Sequence, residues 1–365
     1  MGRDQADAKR DDAPRRGRVT SMTRWLSRRK APGRTAAAPM ISVVIPVYNA
    51  ERTLAECLTW VFRSDFESFE VIMVDDGSTD RSGAIAASFP VRVVPTSGRL
   101  GPAMARNIGA KEAHGEVLFF IDSDVMLREA SLSCLAEAFE DETVDALCGV
   151  QTAEMRHQNL ASQYKNLWMR WTYLRQTGEV PLFYTTAAAI RRAAFERVGG
   201  FDEGYATPNV EDTAFGQKLA RVGMSVRVLA PLEVEHVKHY SLYGMLRTDF
   251  MRAVSLTRLK LRHPGDLGDN NTSVPGSYIA SVGLTGLAVL FGVGGALFGP
   301  PAAVALAGVM GLLAVALNAE FLNAIRDSDG PWRTICAVPV LALELLVVGA
   351  GTGVGLLSFP LGRKY

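Results

Sequence analysis

From residue 40 onward the chain switches between two hydrophobic rhythms. Residues 40–47 form a β-branched run closed by Tyr48-Asn49-Ala50, and Leu54, Leu58, Val61 and Phe62 follow at helical spacing. A second apolar run, 70–74, ends in Asp75-Asp76-Gly77-Ser78-Thr79-Asp80, whose Ser, Thr and Asp suit the capping of a helix over 84–87. A third covers 91–94, after which Gly98 and Gly101 precede a helix carrying Met104, Ile108 and Ala113. The fourth, 117–121, is apolar throughout and stops at Asp122-Ser123-Asp124. Alternating strands and helices with short links predict an α/β fold with a parallel sheet and right-handed crossovers. Continuous apolar strands predict burial on both faces.

Three strand ends therefore carry polar clusters: Tyr48-Asn49, Asp75-Asp76 and Asp122-Asp124. In open α/β sheets ligands bind beyond the carboxyl ends of the strands. If strand geometry continues through residue 124, Asp122 and Asp124 point the same way. Two such carboxylates repel each other unless a cation lies between them, and oxygen ligands suit Mg²⁺ or Mn²⁺. A strand ending in a polar turn is the bland alternative. Further along, Glu211-Asp212 opens a helix whose inner face is Phe215, Leu219 and Val222, with Asn209 as its expected cap. Acids in a first helical turn also arise simply by complementing the helix dipole. No Gly-x-Gly-x-x-Gly turn follows the first strand and no Gly-x-x-x-x-Gly-Lys-Ser/Thr occurs, which disfavours dinucleotide oxidoreductases and P-loop enzymes.

After residue 276 the pattern changes again. Residues 277–297 are uncharged and long enough for the ~30 Å hydrocarbon core. Gly299-Pro300-Pro301 breaks the run; 302–317 begins a second stretch extending towards Phe321, with a polar end at Glu320; 335–359 is a third, with Glu344 inside it. Three membrane helices are expected, two being the fallback, and Glu344 should face a neighbouring helix or the membrane edge. Residues 240–262 mix apolar side chains with Arg247, Arg252, Arg258, Lys260 and Arg262, like an interfacial helix with positive charge beside the first span. Arg363 and Lys364 fit the same charge rule poorly if there are three spans. Residues 157–175 read equally as an interfacial or an amphipathic core helix.

Composition adds little. The chain has 365 residues, 48% of them hydrophobic, and a net charge of +1 that points to no nucleic-acid partner. Cys57, Cys134, Cys148 and Cys336 are scattered without ligand spacing and read as reduced thiols. Residues 1–38, rich in Arg, Lys, Asp, Ala, Gly and Pro, read as a disordered basic tail able to rest on anionic lipid.

Taken in order, Ser42-Val-Val-Ile-Pro-Val-Tyr-Asn49, Val74-Asp-Asp-Gly-Ser-Thr-Asp80, Gly101-Pro-Ala-Met-Ala-Arg-Asn107, Asp122-Ser-Asp124, Arg197-Val-Gly-Gly-Phe-Asp-Glu203 and Glu211-Asp212 resemble the family-2 glycosyltransferases over about residues 40–240. The resemblance implies a GT-A fold, a mixed and mostly parallel sheet flanked by helices, here followed by a helical membrane region. It implies that Pro46, Tyr48, Asn49 and Asp76 surround the nucleotide, with Asp76 partnering a base N–H and Arg106 tempering phosphate charge. Asp122 and Asp124 would be the DxD motif holding ribose and Mn²⁺ or Mg²⁺. His236 is a secondary metal or diphosphate contact, and His239 a weaker one. Asp212 would be the general base, with Glu211 orienting it or touching the acceptor.

The expected reaction is inverting, metal-dependent transfer of a single sugar from a UDP- or GDP-sugar to a lipid-linked or saccharide acceptor, in cell-envelope or exopolysaccharide assembly. The expected place is the inner membrane, among its lipids, with the catalytic part (39–240) cytoplasmic, a helix and linker at 241–270, and the membrane region at 271–365. Two departures matter. Tyr184-Thr185-Thr186-Ala187-Ala188 stands where relatives often carry glycine and polar residues, leaving the acceptor open. The Gln-x-x-Arg-Trp signature of processive synthases is absent after Asp212. A polysaccharide synthase subunit and an inactive nucleotide-sugar-binding membrane scaffold are the alternative readings.

Overall fold

The computed structural model describes residues 40–176, 178–205, 208–262 and 272–361. The basic segment 1–38, most of the linker to 270, Arg363 and Lys364 lie outside the described residues. Strands β1 (Ile41–Val47), β2 (Phe69–Asp75), β3 (Arg92–Pro95) and β4 (Val117–Ile121) alternate with helices α1 (Leu54–Phe62), α2 (Ser82–Ala86) and α3 (Pro102–Glu112). Next come β5 (Val125–Met126), α4 (Ser131–Ala138), β6 (Ala146–Gln151), α5 (Leu160–Leu174), β7 (Ala187–Arg191), α6 (Arg192–Val198), α7 (Glu211–Arg221) and β8 (Val226–His236). The eight strands form one sheet in the order β3-β2-β1-β4-β7-β6-β8-β5.

The first four strands are parallel, with Val47 beside Asp75 and Val44 beside Phe120. This register puts the carboxyl ends of β1, β2 and β4 on one rim, as the apolar runs predict. Every residue of β4 is buried. Beyond it the sheet turns mixed: β7 is antiparallel to β4 and β6, β6 is parallel to β8, and β5 is antiparallel to β8. The β5–β8 pairing sets Val125 opposite His236, so the end of β8 returns to the turn after β4.

Five α-helices and a closing 3-10 turn (Phe359–Leu361) complete the described chain. The helices are α8 (Leu242–Arg262), α9 (Gly276–Phe298), α10 (Pro301–Ala316), α11 (Ala319–Asp329) and α12 (Pro331–Ser358). Among the described residues, α9 and α12 are long and apolar enough to cross a membrane. The second apolar stretch is not one helix: α10 and α11 are bent by 53° at a short break, and only together do they make a third candidate span. The bend turns Phe321 of α11 onto Trp168 and Tyr164 of α5, with ring centroids 4.9 and 5.2 Å apart. Tyr278 of α9 lies 4.7 Å from Trp168. Stacking of this kind adds to the burial of large apolar rings. Residues 160–174 are therefore a core helix, clamped between the sheet and the C-terminal helices.

Glu344, buried in α12, faces a neighbour: its Oε2 accepts a 2.5 Å hydrogen bond from the Tyr164 hydroxyl. On the same helix Gly351 and Gly355 lie against α8. A Cβ at Gly351 would stand 2.6 Å from the Phe250 carbonyl oxygen, and one at Gly355 2.7 Å from the Thr257 Cβ. Small residues four apart allow two helices to approach this closely.

Candidate active site

The rim of β1, β2 and β4 opens into a cavity of about 640 Å³, within the range of small-ligand sites. Of the residues that the sequence nominates, all but Asn49 and the weaker candidate His239 line it. Asn49 adopts a left-handed φ of 52°, and its side chain accepts from the Thr79 amide at 2.8 Å. It ties the end of β1 to the loop after β2. Tyr48 is exposed, with the Arg99 guanidinium 4.2 Å over its ring. Asp76 is buried and already occupied: its Oδ1 accepts from the Leu100 amide (2.7 Å) and its Oδ2 from the Gly101 amide (2.8 Å). Holding this loop fixes the entry to α3, and a base N–H would share oxygens already in use.

Asp122 and Asp124 converge by a turn, not by strand alternation. β4 ends at Ile121, and the Val125 amide donates to the Asp122 carbonyl at 3.1 Å. His236 comes in from β8, its Nε2 3.3 Å from Asp124 Oδ1. Ligand atoms of Asp122, Asp124 and His236 all lie within 4.8 Å of one another. Two carboxylates and an imidazole are a donor set that fits a divalent metal. Gln151, at the end of β6, places its amide 3.4 Å from His236 Nδ1 and so helps to orient the ring. A polar residue closing an apolar strand is the same signal that marks Asp122, and it is the signal in the sequence that points to Gln151.

Arg106 joins the two halves of the cavity. This buried α3 side chain donates to Asp122 Oδ1 at 2.9 Å and to Glu211 Oε1 at 3.0 Å, while its Nε is buried without a partner. Asp122 and Glu211 hold its pKa above the usual guanidinium value despite burial. Glu211 and Asp212, both buried, open α7, where basic Lys218 and Arg221 occupy the last turn in keeping with the dipole. Asn209 does not cap this helix; Val210 is the cap, and Asn209 Nδ2 donates to Ser255 of α8 at 2.5 Å. The Asn209 amide donates instead to Glu211 Oε2 at 2.8 Å. Asp212 Oδ1 accepts from the Thr213 amide at 2.6 Å. Burial, and then the charge of Glu211, push its pKa up to about 6 against the pull of Arg252 and Arg106.

A parallel half-sheet that turns mixed beyond β4, with a carboxylate–carboxylate–imidazole cluster at its rim, is the arrangement of a GT-A-type fold. Residues 42–199 match the Glycosyl transferase family 2 profile. Glycosyltransferase GlyG of Streptococcus pneumoniae is 36% identical over 115 residues, 30% of this chain and 38% of that protein. Poly(ribitol-phosphate) beta-N-acetylglucosaminyltransferase TarS of Staphylococcus aureus is 33% identical over 113 residues, 29% of this chain and 20% of its own. The matches thus span well under two thirds of either relative. The mannosyltransferase PcManGT of Pyrobaculum calidifontis, solved with GDP-Man and Mn²⁺, shares the fold at a TM-score of 0.53 and 19% identity, over 95% of this chain and 94% of that one.

Proposed function

We propose that the chain transfers a single sugar from a nucleotide-sugar donor, UDP- or GDP-linked, to a hydroxyl of a lipid-linked or saccharide acceptor, with inversion. The observation that carries this reading is the Arg106 bridge. It ties the Asp122 side of the cavity to Glu211 and so to the buried base candidate beside it.

The acceptor oxygen attacks the anomeric carbon from the face opposite the leaving group. As that bond forms, the bond from the anomeric carbon to the diphosphate oxygen breaks, and the nucleoside diphosphate leaves with the electron pair. Asp212 takes the hydroxyl proton; a carboxylate whose proton affinity is raised by burial suits a base working near neutral pH. Glu211, held by Arg106 and the Asn209 amide, orients this end of α7. Pro46, Tyr48 and Asp76 bound the nucleobase side, with Asn49 supporting that wall from behind. Asp122, Asp124 and His236 would hold Mn²⁺ or Mg²⁺, whose charge offsets that of the diphosphate.

The apolar helices support membrane anchoring, and on this reading the protein sits in the inner membrane with its catalytic part (39–240) facing the cytoplasm, where nucleotide sugars are made. Residues 241–270 form the interfacial connection and 271–365 the membrane region. The names of TarS and of the GDP-Man-bound neighbour support sugar transfer, and the pathway proposed for it is cell-envelope or exopolysaccharide assembly.

The test compares the wild type with Asp122→Ala and Asp212→Asn for release of nucleoside diphosphate from a panel of nucleotide sugars. Both variants are expected to lose 100-fold or more, an effect on the order of that of a positioned acid–base group. Equal rates in all three proteins would leave the inactive-scaffold reading.

A further inference from the structure

Besides the paired cations, two arginines face the cavity from α8. Arg106 is neutralised by Asp122 and Glu211, and buried Lys165 is paired with buried Asp249. Arg99 lies on Tyr48 at the nucleobase end, and Lys238 follows His236 beside the carboxylate cluster. Arg247 and Arg252 remain, and neither makes a hydrogen bond or ion pair among the described residues, although both line the cavity with Thr248 and Met251. Arg252 is half-buried and lies in the field of Asp212, with Tyr184, Tyr240 and Asp249 around it. Arg252 thus shares the Asp212 carboxylate with the already paired Arg106, Arg247 is exposed at the cavity wall, and each guanidinium has five N–H donors to satisfy. Cations that served only the fold would be paired, as Arg106 and Lys165 are.

The position of α8 indicates what enters. The stripe carrying Arg247, Thr248, Met251 and Arg252 faces the cavity, and Ser255 is tied to Asn209 next to Glu211. A different stripe, Phe250, Ala253, Val254 and Thr257, packs on Gly351 and Gly355 of α12, which is long and apolar enough to cross a membrane. The arginines thus stand between the base candidate and the membrane-spanning region. A planar, weakly hydrated guanidinium matches a phosphate better than it matches a neutral sugar.

Building on the transferase reading above, we propose that Arg247 and Arg252 are the acceptor's anion site. They take a phosphate group on an amphiphilic acceptor delivered from the bilayer surface and set its attacking hydroxyl at Asp212. The phosphate is bound, not transformed, and the proton and leaving group move as in the transfer step. This narrows the acceptor to a phosphate-bearing lipid.

The test uses the full chain in phosphatidylcholine nanodiscs with Mn²⁺, titrated with dodecyl phosphate, inorganic phosphate, UDP and GDP. Arg247→Gln/Arg252→Gln is expected to bind dodecyl phosphate at least tenfold more weakly while binding its preferred nucleotide as the wild type does. Inorganic phosphate should bind the wild type more weakly than dodecyl phosphate and lose affinity in the same variant; if it binds as tightly, the lipid source is wrong. Arg252→Lys should retain part of the affinity, which separates lost charge from lost folding. Equal dodecyl phosphate affinity in wild type and double variant would overturn the anion site alone. A parallel fall in nucleotide affinity would also overturn it, by placing these arginines on the donor. If neither protein binds UDP or GDP, the donor reading falls and the anion site with it.

Discussion

Arg106 Nη1 donates to Glu211 Oε1 across 3.0 Å, joining residues 105 positions apart in the sequence. Through its second nitrogen the same guanidinium reaches Asp122. Removing it leaves Glu211 buried beside Asp212 without a counter-charge. Arg106→Met is therefore expected to destabilise the fold by about 3–5 kcal/mol, as breaking a buried ion pair does. Thermal unfolding measures this, and a midpoint within a degree of wild type would contradict it. Arg106→Lys keeps the charge but not the fork, and should lose less stability than nucleotide affinity.

Asp212 gives opposite effects on activity and stability. Its folded pKa is raised to about 6, above the ~3.9 of an unfolded aspartate. Between those values the folded state binds the extra proton, so stability is lost as pH rises through the window and stays lower above it. Asp212→Asn keeps an acceptor for the Thr213 amide and removes this cost. Near pH 7.5 it should raise stability by about 1–3 kcal/mol while abolishing transfer. A variant both inactive and less stable would count against the electrostatic account.

The base role proposed for the same residue predicts the pH profile. As a base Asp212 works ionised, so the rate should rise with an acid limb near pH 6 and level off above it. Arg252 pulls the carboxyl pKa down. Arg252→Gln should move the acid limb to higher pH, read from kcat/KM across pH 5–9. A limb that stays in place would mean that the titrating group lies elsewhere.

Divalent metal should stabilise the protein even without donor. Mn²⁺ at 100 times its Kd would add about 2.7 kcal/mol to the folded state, visible as a rise in melting temperature that EDTA reverses. Asp124→Ala and His236→Ala should each lose most of that rise. A full rise in both variants would remove the Asp122–Asp124–His236 cluster as the binding place.

Gly351 tests the contact between α8 and α12. A Cβ there meets the Phe250 carbonyl oxygen at 2.6 Å, and backbone cannot yield as a side chain does. Gly351→Val should cost about 1–3 kcal/mol by overpacking, and should impair transfer more than nucleotide binding because α8 carries the acceptor wall. Equal loss of both would point to general unfolding.

Much of this architecture could be read from the chain because its signals are local. The β1, β2 and β4 runs are continuous and apolar, and parallel pairing alone brings Tyr48, Asp76 and Asp122 to one rim. What escaped depends on contacts distant in sequence. Asn209 looks like a helix cap until α8 offers it Ser255. Residues 302–321 look continuous until the aromatic rings of α5 draw Phe321 back across the bend. Arg252 reads as a membrane-flanking cation, since no spacing reveals that α8 folds over the cavity.

The packing of α8 also bears on how this protein can be divided. A fragment ending at residue 240, where the family motifs run out, would keep the rim of β1, β2 and β4 and the carboxylate cluster but lose the wall that carries Arg247, Thr248, Met251 and Arg252. The glycine-lined helix that holds that wall in place would be gone as well. On the transferase reading such a piece would be a donor half open on one side, so the smallest complete unit includes α8 and the helix it leans on.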